Sequence, residues 1–428
     1  MKIKRFSTAA SNLEEFLKTS EIDTSSFEEN VKKIAQEVRE RGDEAVLDLT
    51  LKYDGVQLNQ KTLMVSDAEI EEAYEKVDDD YLFALRKAID NIMIYHSRQN
   101  RNSWMETDEA GNVTGQVYRP IKRAGIYVPG GTAAYPSSVL MNAIPAQVAG
   151  VEQIVMVTPP GRDGKLNPYT LVAAAELGLE EIYKMGGAQA VFALAWGTQT
   201  IPKVDIITGP GNIYVTLAKK MVYGDVNIDM LAGPSEILIV ADAVANPVHL
   251  AADMMSQAEH DVLARSILVT DSAALINKVE QELKRQIEKL ERKAMIEKAL
   301  NDYGAFILVN NMSEACAVAN LVAPEHLELM VEHPFEMLHQ IQNAGAIFLG
   351  ANTPEPVGDY FAGPNHILPT GGTARFYSPV TVDTFKKVSN IIYYSAQGIK
   401  DNCDDIIRLA EVEGLTAHAN SVKVRKEE

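Results

Sequence analysis

The sequence predicts an α/β protein with two doubly wound parallel sheets in tandem. From residue 116 to residue 349, short apolar runs of strand length alternate with longer patterns of helical period, which is typical of βαβ units. The alternation falls into two similar blocks, one on each side of a turn at Gly233 and Pro234. Glycine-bearing turns follow several strands and open helices, where doubly wound folds bind ligands. We therefore expect two α/β domains with ligand sites at these turns.

The order of elements follows from the apolar periodicity and the cap residues. Helices in the first hundred residues are expected to begin near residues 25, 45, 66 and 81. Ser25 and Ser26 with Glu28 and Glu29, and Ser66 with Glu69, suit capping boxes. The predicted strands cover residues 116–128, 153–157, 182–184, 204–207, 237–240, 266–270, 305–309 and 346–349. Helices are expected between them, and Asn167 and Asn246 each precede a proline, as at a capped helix start. One long charged helix is predicted over residues 272–300, and others over 312–321 and 334–343.

Two segments lack this alternation. Residues 351–379 are rich in glycine and proline and contain Asp359 and His366, so we expect a long ordered loop of the kind that carries function. Residues 401–411 form a predicted helix, and the tail that follows contains Glu413 and His418. By composition alone, that tail is expected to be solvated.

Composition excludes several classes of function. The chain has 428 residues, with 40 basic and 59 acidic residues and a formal charge of -19, which disfavours nucleic acid and anionic membranes as partners. The N-terminus has no apolar signal region, and no apolar run reaches the roughly 20 residues of a membrane span. We therefore expect a cytoplasmic protein. Cys316 and Cys403 form no C-x-x-C pair, and Cys316 is expected in the core.

The glycine turns are candidate cofactor sites. G-G-A-Q at residues 186–189 and G-P-G-N at 209–212 each follow a strand and open a helix, and a helix N-terminus offers free amide hydrogens to anions. No G-x-G-x-x-G fingerprint occurs, so the pattern alone is weak evidence for a dinucleotide. Tyr127 precedes a third glycine turn, at residues 128–131. Its ring could stack on a planar base, although filling the core is the commoner role.

The chain offers one candidate catalytic pair. Glu325 and His326 are adjacent and follow Pro324 at a predicted helix end or turn. Such a pair can activate water and move a proton, but Glu-His at a helix start is more often a charged cap.

Gln257 and His260 are candidate metal ligands. They are three residues apart at the end of a predicted helix, so both point from one face if the helix persists. With Asp359 and either His418 or His366 they would suit zinc. Sequence spacing does not show that these residues converge, and a polar helix end that faces water is the alternative.

Long motifs in the chain resemble one family. GIYVPGGTAAYPSSVLM, TGPGNIYVTLAKK, AGPSEILIVAD, SQAEHD, APEHLEL and VGDYFAGPNHILPTGGTAR are similar to histidinol dehydrogenase. The resemblance extends from the N-terminal helices to the C-terminal EGLTAHA.

This resemblance implies a zinc-dependent enzyme of histidine biosynthesis. It would oxidise L-histidinol through bound L-histidinal to L-histidine, with two NAD, one water and one zinc ion per subunit. By position in the motifs, the implied zinc ligands are Gln257, His260, Asp359 and His418, which would also contact the substrate. The implied catalytic residues, likewise in contact with the substrate, are Glu325 and His326. The implied NAD contacts are Tyr127, Gln189 and Asn212, and the further substrate contacts are Ser235, His366 and Glu413.

The resemblance also implies an intertwined homodimer with two incomplete Rossmann-like domains and small helical tail domains. His418 and Glu413 would belong to the neighbouring subunit's site. The expected domains are residues 1–25 with 382–428 for dimerisation, 26–126 with 235–381 for substrate and zinc, and 127–234 for NAD.

Three other functions stay open at this point. Some relatives in this family oxidise other small alcohols, a zinc hydrolase could use Glu325 to activate water, and a metal-binding dimer need not be catalytic. Turnover that requires NAD would exclude the hydrolase.

Overall fold

A computed structural model describes residues 2–7, 13–17, 24–130 and 134–426. The chain divides into two compact units. We call Met1–Gln99 with Lys122–Phe385 the main unit, and Asn100–Ile121 with Lys386–Glu428 the tail unit.

The strands and helices of the described residues are numbered in chain order. The strands are β1 Lys4–Ser7, β2 Trp104–Thr107, β3 Val113–Pro120, β4 Arg123–Tyr127, β5 Gln153–Thr158, β6 Glu181–Lys184, β7 Ile206–Thr208, β8 Asn227–Ile228, β9 Glu236–Ala241, β10 Arg265–Thr270, β11 Ala305–Leu308, β12 His326–Met330, β13 Ala346–Leu349 and β14 Lys386–Tyr393. The helices are α1 Leu13–Leu17, α2 Ser25–Arg41, α3 Asp43–Asp54, α4 Gln60–Leu63, α5 Asp67–Tyr74, α6 Asp79–Ser97, α7 Pro136–Ala149, α8 Pro168–Glu176, α9 Gly187–Trp196, α10 Ile213–Val222, α11 Pro247–Ala258, α12 Ala273–Gln286, α13 Lys293–Tyr303, α14 Met312–Val322, α15 Pro334–Met337, α16 Glu355–Tyr360, α17 Ala396–Val412 and α18 Thr416–Lys426.

The main unit contains two parallel sheets, as the alternation predicted. One has the order β6-β5-β4-β7-β8, and the other the order β1-β11-β10-β9-β12-β13. Each sheet has its own apolar core. N-terminal helices α2 and α3 share the core of the five-stranded sheet with α9, whose Phe192 is fully buried. The three-domain boundaries expected from the sequence remain a prediction.

Three caps predicted from the sequence are formed, whereas the capping box predicted at Ser25 and Ser26 is not, because α2 already begins at Ser25 and the preceding Thr24 makes no side-chain cap bond. The Ser66 side chain accepts from the Glu69 amide in a capping box. Asn167 and Asn246 each cap a helix that starts with proline. Asn212 caps α10 by accepting from the amides of Tyr214 and Val215. These bonds satisfy amides that have no partner within the helix.

Several expected elements have different boundaries. The helix predicted over 272–300 is two helices, α12 and α13, because Leu290 is extended and the break lets both helices bury apolar residues in one core. The strand predicted over 116–128 is wrong as a single element, since β3 pairs with β14 in the tail unit while β4 pairs with β5 and β7. The expected loop after residue 350 contains α16, and the helix predicted over 334–343 continues beyond α15 only as a 3-10 turn.

Strand β12 was not predicted. Buried parallel strands usually read as continuous apolar runs, but this one begins at His326 and carries Glu328, and all five residues are buried. It lies between β9 and β13 in the sheet. The sheet therefore places a histidine and a glutamate in its interior.

The tail unit consists of an antiparallel sheet, in the order β14-β3-β2, with helices α17 and α18. The last residues were expected to be solvated; Glu413 and His418 are indeed exposed, but His418 lies on a helix. Both cysteines are buried and neither forms a disulfide. The burial of Cys316 confirms its expected place in the core. Among the helices of the described residues, none is long and apolar enough to span a membrane.

Candidate active site

The candidate site of the six-stranded sheet lies at the amino ends of its strands. Glu236 begins β9 and His326 begins β12, and these neighbouring strands pair so that His326 is opposite Ile237. Ala323 precedes this point in the left-handed backbone region, with φ 50°, the only non-glycine residue with positive φ among those described. Such a conformation costs about 1 to 2 kcal/mol in a residue with a Cβ, so the surrounding fold holds the turn into β12.

Hydrogen bonds fix the Glu325 and His326 side chains. Glu325 Oε2 accepts from the backbone amide of Glu236 at 2.9 Å. His326 Nδ1 lies 3.1 Å from the carbonyl oxygen of Glu236, and because a carbonyl can only accept, Nδ1 carries the proton. His326 Nε2 is buried and has no hydrogen-bond partner. The unprotonated nitrogen of this imidazole is therefore free to accept a proton.

Two carboxyl groups from α16 lie beside that nitrogen. His326 Nε2 is 3.8 Å from Glu355 Oε1 and 3.8 Å from Asp359 Oδ1. One ligand atom from each of these three residues lies within 4.8 Å of the others, close enough to hold one metal ion. Glu355 and Asp359 are four residues apart, which places both on one side of the helix.

Gln257 and His260 lie on the neighbouring α11 and the turn after it. The helix ends at Ala258, so His260 is not on the helix, contrary to the condition under which both residues would share its face. His260 Nε2 is nevertheless 3.9 Å from Glu355 Oε1. Gln257 is fully buried, and neither its amide oxygen nor its amide nitrogen has a hydrogen-bond partner.

This donor set fits a metal ion. Buried polar side chains are nearly always hydrogen-bonded, so the unpaired Gln257 amide and the unpaired His326 Nε2 indicate that a ligand completes the site. Imidazole nitrogens with carboxylate and amide oxygens are donors that zinc accepts.

Burial and the repulsion between neighbouring carboxylates shift the pKa values of the acidic groups in the site. Burial raises the pKa of Glu355 to about 8 and that of Asp359 to about 7, and neighbouring carboxylates add to both shifts. Burial also raises the pKa of Glu325 well above its usual range. It lowers the pKa of His326, which the nearby Asp359 opposes. A neutral imidazole is therefore surrounded by carboxyl groups that are unusually basic.

A cavity of about 520 Å³ opens onto these groups. Its lining includes Ser235, His260, Glu325, His326, Asp359 and His366. His366 Nδ1 donates to the carbonyl oxygen of Asp359 at 3.1 Å, and burial lowers the pKa of His366 to about 4. His366 therefore offers a neutral ring whose Nε2 can accept a hydrogen bond.

A second cavity, of about 960 Å³, lies at the carboxyl ends of the five-stranded sheet. Tyr127, Gln189 and Asn212 line it, and the Tyr127 hydroxyl accepts from the Gly187 amide at 3.0 Å. This position at the strand ends is the one expected for a ligand in a doubly wound fold. Gly211 and Asn212 line both cavities.

A buried ion pair holds the turn between the cavities. Asp229 accepts from the amide of Gly209 at 2.8 Å, and Lys219 donates to the Gly209 carbonyl oxygen at 3.0 Å while it pairs with Asp229. Gly209 has φ 115°, and a Cβ there would lie 2.1 Å from the carbonyl oxygen of Tyr127. The turn requires glycine at this position.

Comparison with known proteins decides the family. The family model described as histidinol dehydrogenase matches residues 17–426. The chain belongs to the histidinol dehydrogenase family. Curated relatives named histidinol dehydrogenase include those of Heliobacterium mobile, 57% identical over 96% of both chains, and Bacillus subtilis, 53% identical over 92% of both chains. A crystal structure of histidinol dehydrogenase from Elizabethkingia anophelis is 37% identical, covers 99% of this chain and 98% of its own, and has a TM-score of 0.94.

The structure brings together most of the residues that the histidinol dehydrogenase motifs singled out. Ser235, His260, Glu325, His326, Asp359 and His366 line one cavity, and Tyr127, Gln189 and Asn212 line the other. Gln257 lines neither cavity but is buried on α11. Glu413 and His418 belong to the tail unit and are exposed. Their roles in the site remain a prediction.

Sequence reasoning missed Glu355 and the part played by Glu236. Glu355 lies in Pro354-Glu355-Pro356, four residues before Asp359, and a proline at a first helical turn was a usable signal for a helix there. The Glu236 backbone holds Glu325 and His326, as any residue could, and its side chain accepts from the Gly371 amide at 3.0 Å. All of these partners are distant in sequence, so no local pattern indicated them.

Replacing Glu355 with glutamine is expected to change how stability depends on pH in metal-free protein. The folded pKa of Glu355 is raised from 4.5 to about 8. Between these values the folded state keeps a proton that the unfolded state has lost, so this group makes the wild type less stable as pH rises. Glutamine cannot ionise, and E355Q should therefore gain stability relative to wild type from about pH 5 to about pH 8, by at most about 1.4 kcal/mol per pH unit.

Urea unfolding of both proteins in a chelating buffer measures this difference. Glu291→Gln, at an exposed turn, is the matched control. A difference in unfolding free energy between E355Q and wild type that stays constant with pH would contradict the raised pKa of Glu355.

Proposed function

We propose that this chain is a zinc- and NAD-dependent histidinol dehydrogenase that oxidises L-histidinol through bound L-histidinal to L-histidine. The observation that carries the proposal is the free Nε2 of buried His326, which lies at 3.8 Å from two carboxyl groups. His326 Nε2 can thus accept a proton next to side chains that could bind a metal ion, and the chain belongs to the histidinol dehydrogenase family.

Gln257, His260 and Asp359 would hold the zinc ion, with His418 as a fourth ligand from the neighbouring subunit. Zinc, when bound there, would mainly supply orientation of the substrate. This ligand set differs from the geometric group of His326, Glu355 and Asp359. We favour the former because it explains the unpaired Gln257 amide and leaves His326 free to act as a base.

His326 would take the alcohol proton in the first oxidation. Its Nδ1 donates to the Glu236 carbonyl oxygen, so the proton can only be received at Nε2. Burial favours the neutral ring by lowering the pKa of His326, and an imidazole must be neutral before it can accept a proton. NAD, when bound, would supply the hydride acceptor for both oxidations.

Glu325 would activate the water that adds to histidinal. Burial raises its pKa well above the usual range, so its carboxylate is a stronger base toward water than that of an ordinary glutamate. The product of addition is a hydrate, which is itself an alcohol. After His326 has released the first proton to solvent, its Nε2 can accept a proton from the hydrate while the second hydride would pass to a second NAD, and the carboxylic acid results. One site performs both oxidations.

Tyr127, Gln189 and Asn212 would contact NAD in the larger cavity. The Asn212 side-chain oxygen is engaged by the α10 cap, which leaves its amide nitrogen to donate to the cofactor. Because Gly211 and Asn212 also line the smaller cavity, the two ligands can meet at this turn.

Exposed apolar residues of the tail unit support the proposed homodimer. Ile392 is 76% exposed, and Leu409 and Val412 are each 69% exposed. Contiguous exposed apolar patches mark interaction surfaces, and Glu413 follows Val412 directly in the chain, with His418 on the next helix, α18. We propose that this surface carries both residues to the site of a second copy.

The yield of NADH tests the reaction itself. Zinc-loaded protein with excess NAD should form two NADH per L-histidinol consumed, because both oxidations occur before the product leaves. Absorbance at the NADH band, with the amino acid product quantified separately, gives the ratio. One NADH with released aldehyde would contradict the second oxidation, and no turnover would favour another alcohol as substrate.

Glu325→Gln should separate the two oxidations. Removing the base that activates water is expected to slow aldehyde oxidation by roughly 100-fold or more, while alcohol oxidation, which uses His326, falls much less. Stopped-flow measurement of each step with histidinol and with histidinal compares them. Equal losses in both steps would exclude the water-activating role, and Glu332→Gln, at an exposed position, controls for surface charge.

Mixed dimers test the contribution of His418. Subunits with His418→Ala and subunits with His260→Ala should each be inactive as homodimers. A mixed dimer contains one site with both histidines, so about half of the wild-type activity should return. Separately tagged subunits, purified as the mixed species, allow the assay. Inactivity of a folded mixed dimer would contradict a shared site.

A further inference from the structure

We propose that Lys219 and Asp229 are positioning residues for the cofactor. They fix the turn at residues 209–212 so that bound NAD meets the substrate cavity, an inference that rests on the proposed function. Neither residue lines either cavity. The Lys219 and Asp229 side chains are 3% and 1% exposed and form an ion pair. The pair therefore acts on bound ligands only through the backbone that it holds.

Both backbone polar groups of Gly209 are bound by the pair. Asp229 Oδ2 accepts from the Gly209 amide at 2.8 Å, and Lys219 Nζ donates to the Gly209 carbonyl oxygen at 3.0 Å. The ion pair joins the two side chains to each other, so each is held by its partner as well as by Gly209. One donor and one acceptor thus fix the direction of the backbone directly after β7.

The glycine that the pair holds lies against the strand that carries Tyr127. Gly209 has φ 115°, and there is no room for a Cβ between it and the Tyr127 carbonyl oxygen. Two and three residues further on, Gly211 and Asn212 line both cavities, and Asn212 caps α10. A displacement of Gly209 would therefore move backbone that borders the NAD cavity and the substrate cavity together.

The pair also connects this turn to the chain that enters the substrate site. Asp229 Oδ1 accepts from the Met230 amide at 2.6 Å, and the Thr216 hydroxyl of α10 donates to the Ala232 carbonyl oxygen at 3.1 Å. Ala232 lines the smaller cavity. It lies four residues before Glu236, whose backbone holds the candidate catalytic pair. The network that fixes the cofactor turn thus also fixes the approach to the catalytic groups.

A role in stability alone explains the pair less well. Burying two charges costs desolvation free energy, and apolar residues of similar volume are often equally stable or more stable. Apolar side chains could not, however, both donate to and accept from Gly209. Reaction rates depend steeply on such placement, since a displacement of about 1 Å can cost about 100-fold in rate.

Lys219→Met tests the pair, with Lys220→Met as its matched control. Methionine keeps most of the length of the lysine side chain but cannot donate to the Gly209 carbonyl oxygen. Lys220 is the next residue of α10 and is exposed. K219M should raise the KM for NAD roughly 10-fold and lower kcat roughly 10-fold or more, whereas K220M should match wild type in both.

Zinc affinity separates positioning from a structural effect. Competition with a zinc chelator should show that K219M binds zinc as wild type does, because the proposed zinc ligands lie on other elements. Loss of part of the folded enzyme would lower kcat and leave the KM for NAD unchanged. General loosening of the fold would weaken zinc binding as well.

The inference is overturned if K219M keeps the wild-type KM for NAD, or if its zinc affinity falls together with its affinity for NAD. K219M leaves Asp229 buried without its cation, which can prevent folding. In that case K219M/D229N, which carries neither charge, takes its place with the same expected pattern. Failure of both variants to fold would assign the pair to folding and overturn positioning. Wild-type protein that binds zinc but forms no NADH from histidinol would instead refute the proposed function.

Discussion

Burial of carboxyl groups around His326 is the constraint on which the candidate site depends. Glu325, Glu355 and Asp359 each have a pKa raised first by burial and then by neighbouring carboxylates. A fold that concentrates acids in this way is unfavourable unless they stay protonated or meet a cation. The rest of the main unit holds the groups in place, with β9 fixing Glu325 and His326 through the Glu236 backbone.

The two cavities differ in the side chains that line them. The acid-rich cavity lies at the amino ends of β9 and β12, whereas the larger one lies at the carboxyl ends of the five-stranded sheet and is lined by amide and aromatic side chains together with Arg162, Lys165, Asp54 and Asp163. In the proposed function the first would hold the metal and the substrate, and the second would hold NAD. Asn212 stands at their junction.

Sequence patterns predicted the elements whose signals are local. The caps at Asn167 and Asn246 formed as expected, as did both parallel sheets, because caps and apolar periods depend on neighbouring residues. Strand β12 was missed because His326 and Glu328 interrupt its apolar run. Glu355 was missed because its importance comes from contacts with β12 and the turn after α11, which no local pattern records.

The predicted metal ligands show more clearly what sequence spacing alone cannot determine. The spacing of Gln257 and His260 indicated a pair on one helix face, but α11 ends before His260, and the turn rather than the helix brings His260 to 3.9 Å from Glu355. The geometric group and the motif-based set share only Asp359. Their chemistry differs, because His326 cannot bind the metal through Nε2 and also accept a proton there.

Anomalous diffraction at the zinc edge, from crystals grown with zinc, tests the central claim most directly. The account predicts one ion per subunit bound by Gln257, His260, Asp359 and His418 from a second copy, with His326 outside the coordination sphere. An ion bound instead by His326, Glu355 and Asp359 would contradict the assignment of His326 as the base.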